Sequence, residues 1–127
     1  MGRFLLICLG GAIGTAARYG ISLWSRQALG TAFPYGTLTV NVLGSFLLGA
    51  IMYVGLNTTL LSVTMRFALG TGVMGGFTTY SSFNYETLQL FQERSFRLGI
   101  INLFATLTGC FVAGWLGVAV AKRLVGD

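Results

Sequence analysis

Gly70-Thr71-Gly72-Val73-Met74-Gly75-Gly76-Phe77-Thr78-Thr79 stands inside a long apolar segment, whose large side chains it interrupts with glycine and hydroxyl residues. Glycine tolerates irregular backbone, but carbonyls and amides left unpaired at mid-membrane depth survive only where protein, water or an ion satisfies them. The stretch therefore predicts a helix broken near its middle, a device frequent at ion sites. That reading requires a bilayer around it, and the composition supplies one.

The chain has 127 residues, of which 54% are hydrophobic and 9% charged, and its mean hydropathy of +0.78 lies outside the usual soluble range. Crossing the hydrocarbon core takes roughly 20 apolar residues. Segments that meet this run from Phe4 to Trp24, Tyr35 to Leu56, Val63 to Phe91 and Leu98 to Ala121. The expectation is an all-α integral membrane protein, a single transmembrane domain over 1–127, with four transmembrane helices and the third one broken. Arg3 ahead of an apolar stretch resembles the start of a signal peptide, but glycines packed through that stretch and the later spans point to a retained helix.

A net charge of +5 would suit nucleic acid, yet the basic residues sit singly at span ends and form no run. Cys8 and Cys110 fall inside spans, where thiols pack as small apolar groups, and without histidine they make no zinc site. Catalytic groups for an enzyme are lacking.

Lys and Arg in the connecting loops set orientation. With the N-terminus inside, Arg3, Arg66, Lys122 and Arg123 face Arg26, Arg94 and Arg97 across the membrane, a difference of a single charge. Such balance predicts insertion both ways and pairing as an antiparallel homodimer; the alternative is one orientation set by the N-terminal charge. Small residues recur at i, i+4 in Gly10/Gly14, Ser45/Gly49, Gly72/Gly76 and Gly109/Ala113/Gly117, giving each span a close-packing face and predicting a compact oligomer.

Polar residues inside the spans are the candidates for function. Arg18 either snorkels to the headgroups or raises the potential for an anion at a pore mouth. Pro34 starts the second span, in which Thr37, Asn41 and Ser45 form one stripe, as interhelical glue or as a pore lining. After the break, Tyr80 and Phe83 share a face beside a polar track of Thr79, Ser82, Glu86 and Gln89. The last span adds Asn102 and Thr106.

Gly36-Thr37-Leu38-Thr39-Val40-Asn41, together with Gly75-Gly76-Phe77-Thr78-Thr79-Tyr80-Ser81-Ser82-Phe83, resembles the Fluc, or CrcB, fluoride channels along the whole chain. The resemblance implies an antiparallel dual-topology homodimer with two pores, each built from both subunits, that lets fluoride leak passively out of a bacterial cytoplasm through the inner membrane. It also implies pore roles for Asn41, Tyr80, Phe83, Ser82, Thr37, Glu86, Thr106 and Arg18. The backbone carbonyls of Gly75 and Thr78 from both subunits would hold a structural sodium ion at the dimer centre. One departure stands out: the first aromatic position usually reads Phe and here is Tyr80, whose hydroxyl either donates to the anion or obstructs it.

Fluoride is strongly hydrated, so its water must be replaced by close donors or by positive ring edges. Two other readings compete. A small multidrug-resistance-type proton-coupled exporter needs an acid deep in the first helix, where this chain has only Arg18. A non-transporting packing subunit has no need of open backbone at mid-depth.

Overall fold

The computed structural model describes residues 1–126, apart from the side chain of Arg94, and among them it is helical with no strand. Helix α1 runs over Gly2–Leu29, α2 over Tyr35–Asn57 and α6 over Phe96–Val125. These three are long and apolar enough to cross a membrane. Between α2 and α6 lie shorter pieces: α3 (Val63–Arg66), a π-helical stretch π1 (Phe67–Met74), α4 (Gly75–Phe77), α5 (Tyr80–Gln89) and a second π-helical stretch π2 (Leu90–Arg94).

The helices outrun the apolar segments, since α1 continues five residues past Trp24 and α6 starts at Phe96 instead of Leu98. Apolarity sets how much of a helix lies in hydrocarbon, while backbone pairing continues until a residue stops it. For α1 the stop is Gly30, whose φ of 81° is a left-handed conformation and whose N–H donates to the Arg26 carbonyl at 3.2 Å. Pro34 is the N-cap of α2, where its missing N–H leaves nothing unpaired. Hydroxyl caps start α3, α5 and α6: Ser62 accepts from Met65 N at 3.1 Å, Thr79 from Ser82 N at 3.2 Å and Ser95 from Leu98 N at 3.3 Å.

Helix α1 packs against π1 and α4, and α2 packs against α6. Both contacts are backbone on backbone. A Cβ on Gly10 would meet the Ala68 carbonyl at 2.6 Å, one on Gly14 would collide with the Val73 carbonyl, and one on Gly72 would meet the Ile7 carbonyl at 2.8 Å. Across α2 and α6, Gly49 faces the Gly114 carbonyl and Gly117 faces that of Phe46. The small-residue faces are therefore consumed inside the chain, and any association between copies must use a different surface. Where these layers meet, Val40, Met74 and Phe77 form a small buried cluster.

Helical backbone is continuous from Val63 to Phe77 and then stops. Thr78 (φ −89°, ψ 158°) and Thr79 (φ −155°, ψ 111°) are extended, and α5 begins at Tyr80. Gly44 on α2 makes room for this turn, because a Cβ there would strike the Thr78 methyl.

Candidate functional site

Two extended residues between helices leave backbone groups that the helices do not pair. Asn41, buried on α2, meets those of Thr79 twice: its Oδ1 accepts from Thr79 N at 2.8 Å and its Nδ2 donates to Thr79 O at 3.0 Å. A buried amide needs partners and so does a freed peptide, so each satisfies the other. The side chain retains one N–H on Nδ2 for a further acceptor. On the other flank, the Thr78 hydroxyl donates to the Met74 carbonyl at 2.9 Å, beside the Thr78 N–H bond to the same carbonyl at 3.0 Å. The chain end arriving at Phe77 carries the negative pole of a helix, and the end leaving at Tyr80 carries the positive pole. Cations are favoured on one side of the interruption and anions on the other.

A cavity of about 280 Å³ opens at this point, walled by Asn41, Ser45, Thr79, Tyr80, Phe83 and Thr106 among others. The Tyr80 and Phe83 rings meet edge to face, with centroids 5.7 Å apart and planes at 69°. Phe83 is 3% exposed and forms the inner wall, while Tyr80 is 74% exposed and stands out from the chain. Behind Phe83 runs a buried chain: Thr106 Oγ1 donates to Asn102 Oδ1 at 3.4 Å, Asn102 Nδ2 to Thr87 Oγ1 at 2.8 Å, and Thr87 Oγ1 to the Phe83 carbonyl at 2.7 Å. Asn102 is thus a buried brace, absent from the cavity wall, and Thr87 is a member that the sequence reading passed over. Its signal was the i, i+4 relation to Phe83. The 3.4 Å bond of Thr106 is long enough for its hydroxyl to turn toward the cavity at small cost.

A second cavity, of about 310 Å³, lies one turn away and includes Ser22, Arg26, Thr37, Glu86, Gln89 and Glu93 in its wall. Here Thr37 Oγ1 donates to Glu86 Oε1 at 2.8 Å, while Glu86 Oε2 is buried without a partner. Thr37 and Asn41, one turn apart on α2, line the second and the first cavity respectively and so link the two, whereas Ser82, one turn before Glu86 on α5, lines neither. Arg18 is half-buried on α1 and lines neither cavity; the arginine at the second cavity is Arg26. Among the described residues no group of three or more Cys, Asp or Glu side chains is placed to hold a metal, and the oxygens at the interruption that a cation could meet are neutral.

The carbonyls of Gly75 and Thr78 suit that use. Thr79 N–H, the donor that would close a helical turn onto the Gly75 carbonyl, is taken by Asn41, and the space where a Gly75 Cβ would lie is open to 4 Å. Thr78 is extended, which turns its carbonyl out of the helical ladder. Hard monovalent cations take oxygen ligands of this neutral kind.

The family profile described as "CrcB-like protein, Camphor Resistance (CrcB)" matches residues 5–118. The chain belongs to the CrcB-like family. Among the similar curated relatives of this CrcB-like chain is the "Fluoride-specific ion channel FluC" of Sorangium cellulosum (strain So ce56), 58% identical over 125 residues that cover 98% of each chain. Another of the same name, from Anaeromyxobacter sp. (strain K), is 49% identical over 126 residues covering 99% of this chain and 100% of that one. A third, from Geobacter sulfurreducens, is 43% identical over 124 residues, 98% of this chain and 100% of its own. Family membership and the three apolar helices make the CrcB-like chain a membrane protein.

Proposed function

We propose that this chain is one subunit of a passive, fluoride-selective channel of the bacterial inner membrane, working as an antiparallel homodimer. Relatives that match it end to end carry the name of a fluoride-specific ion channel, and the observation that carries the reading to this chain is the interruption at Thr78–Thr79. Residues 63–94 then form a fourth crossing, broken in its middle, and 1–127 is one transmembrane domain.

The cavity supports pairing with a second copy. It is open on the side from which Tyr80 projects, and the glycine faces are already used within the protomer. A facing copy would supply the missing wall and cover the exposed ring. Nearly balanced loop charge removes the barrier to opposite insertion.

Within each half-pore, Arg26 offsets the acids Glu86 and Glu93 that share the wall of the second cavity, which lessens the repulsion an entering anion meets. Ser82 and the remaining Asn41 N–H offer donors that replace water, and the first amides of α5 add the positive pole of a helix. Phe83 and Tyr80 present ring edges, which carry partial positive charge. Thr37 spends its proton on Glu86, so Thr37 positions the carboxylate while Thr106 is able to turn its hydroxyl inward. A sodium ion, when bound by the Gly75 and Thr78 carbonyls of both copies, supplies the charge that joins the two negative helix ends.

Purified protein in liposomes loaded with potassium fluoride is expected to release fluoride rapidly, and liposomes loaded with potassium chloride to hold their chloride. Equal release of the two ions, followed with ion-selective electrodes, defeats the selectivity claim.

Tyr80 offers a second measurement. Its hydroxyl donates to no described group, so Tyr80→Phe leaves the fold unchanged. In the pore that hydroxyl holds the anion by one hydrogen bond to a charged acceptor, worth about 1.5 kcal/mol or more, and its removal is expected to raise fluoride efflux about tenfold. Slower efflux in Tyr80→Phe would assign the hydroxyl to permeation instead of retention.

A further inference from the structure

We infer that Asn41 is the positioning residue of the cation site: by holding the Thr79 N–H it keeps the Gly75 carbonyl open. The inference rests on the sodium reading above and concerns a residue that the resemblance assigns to the anion path alone.

Helical backbone runs unbroken from Val63 to Phe77, and Thr78 N still donates back to Met74 at 3.0 Å. The next donor in that ladder is Thr79 N, and its helical acceptor is the Gly75 carbonyl. Asn41 Oδ1 diverts it at 2.8 Å, and no donor from outside the helix takes its place on Gly75 among the described residues. The matching bond from Asn41 Nδ2 to Thr79 O, 3.0 Å, fixes the peptide after the diverted amide and with it the extended conformation of Thr79. A carbonyl at the negative end of a helix, left without its ladder donor, attracts a cation. Without the acceptor on α2, the amide returns to Gly75, the helix gains a residue, and the oxygen is spent.

The cation site and the anion path are thereby tied to one side chain. Its Oδ1 serves the first, through Thr79, and its spare N–H serves the second. Separate substitutions can divide the two roles. Asn41→Leu removes the acceptor at similar volume, whereas Asn41→Asp keeps an oxygen that accepts from Thr79 N but brings no donor.

Thermal unfolding of the purified full chain in detergent, in sodium chloride against N-methylglucamine chloride, reads cation binding without any transport assay. The wild type is expected to melt higher in sodium, with a saturable dependence. Asn41→Leu is expected to need at least tenfold more sodium for the same rise, and Asn41→Asp to respond within about threefold of wild type. An Asn41→Leu response equal to wild type overturns the inference and leaves the sodium reading standing. A wild type indifferent to sodium overturns both. Should Asn41→Leu fail to fold, Asn41→Asp decides alone, since loss of its sodium response with the acceptor still present contradicts the proposed role.

Discussion

Fluoride efflux is expected to fall at least about a hundredfold in Asn41→Asp, a loss that corresponds to about 2.7 kcal/mol on the permeation barrier. The substitution exchanges Nδ2, which donates to Thr79 O at 3.0 Å and has a second N–H to spare, for an oxygen. The anion loses a donor and meets a negative charge a few ångströms from its path, and such a repulsion is worth several kcal/mol at the effective dielectric of a protein. The fold survives, because the bond from Thr79 N to the remaining oxygen persists and gains strength from the charge. Efflux from proteoliposomes, measured beside the elution volume on size exclusion, separates the two effects. Near-normal efflux with normal elution would remove Asn41 from the path.

The largest loss of stability is expected at Gly14. A Cβ there would overlap the Val73 carbonyl and reach 2.8 Å from Phe77 N, and neither backbone group has anywhere to move while α1 lies against π1. Overpacking of side chains alone costs about 1–3 kcal/mol, and Gly14→Val, which pushes backbone against backbone, exceeds the upper figure. The separation of α1 from π1 and α4 also displaces the interruption at Thr78, so the variant loses flux together with its fold. Gly20 is the control: a Cβ there meets nothing within 4 Å, and Gly20→Ala in the interior of α1 adds about 0.5–1 kcal/mol. Thermal unfolding in detergent checks both, and a Gly14→Val protein as stable as wild type would mean that the α1 contact is slack.

Both predictions depend on features with different visibility in the sequence. The glycines of α1 were legible as a small-residue face, but their partner was not. Spacing announces that something comes close without saying whether it is the same chain or another copy, and here Gly10 and Gly14 meet Ala68 and Val73 of their own chain. Asn41 was legible as a polar group in a membrane span. That it seizes Thr79 depends on α2 lying beside a residue 38 positions away. Arg26 shows the reverse case, since it reads as an ordinary loop-end charge until the fold sets it in a cavity wall with Glu86 and Glu93.

What the sequence by itself determined is therefore local or solvent-driven. Apolar length placed the long helices, because transfer of side chains to hydrocarbon is additive along the chain. Glycine and threonine at 70–79 marked where helical pairing would weaken, because backbone preference is set residue by residue. The tertiary structure alone decided which donors and acceptors fill the gaps so made. A peptide group freed at Thr79 accepts whichever partner packing brings within about 3 Å, and the choice of Asn41 over Gly75 is a property of two helices in contact, which neither segment encodes alone.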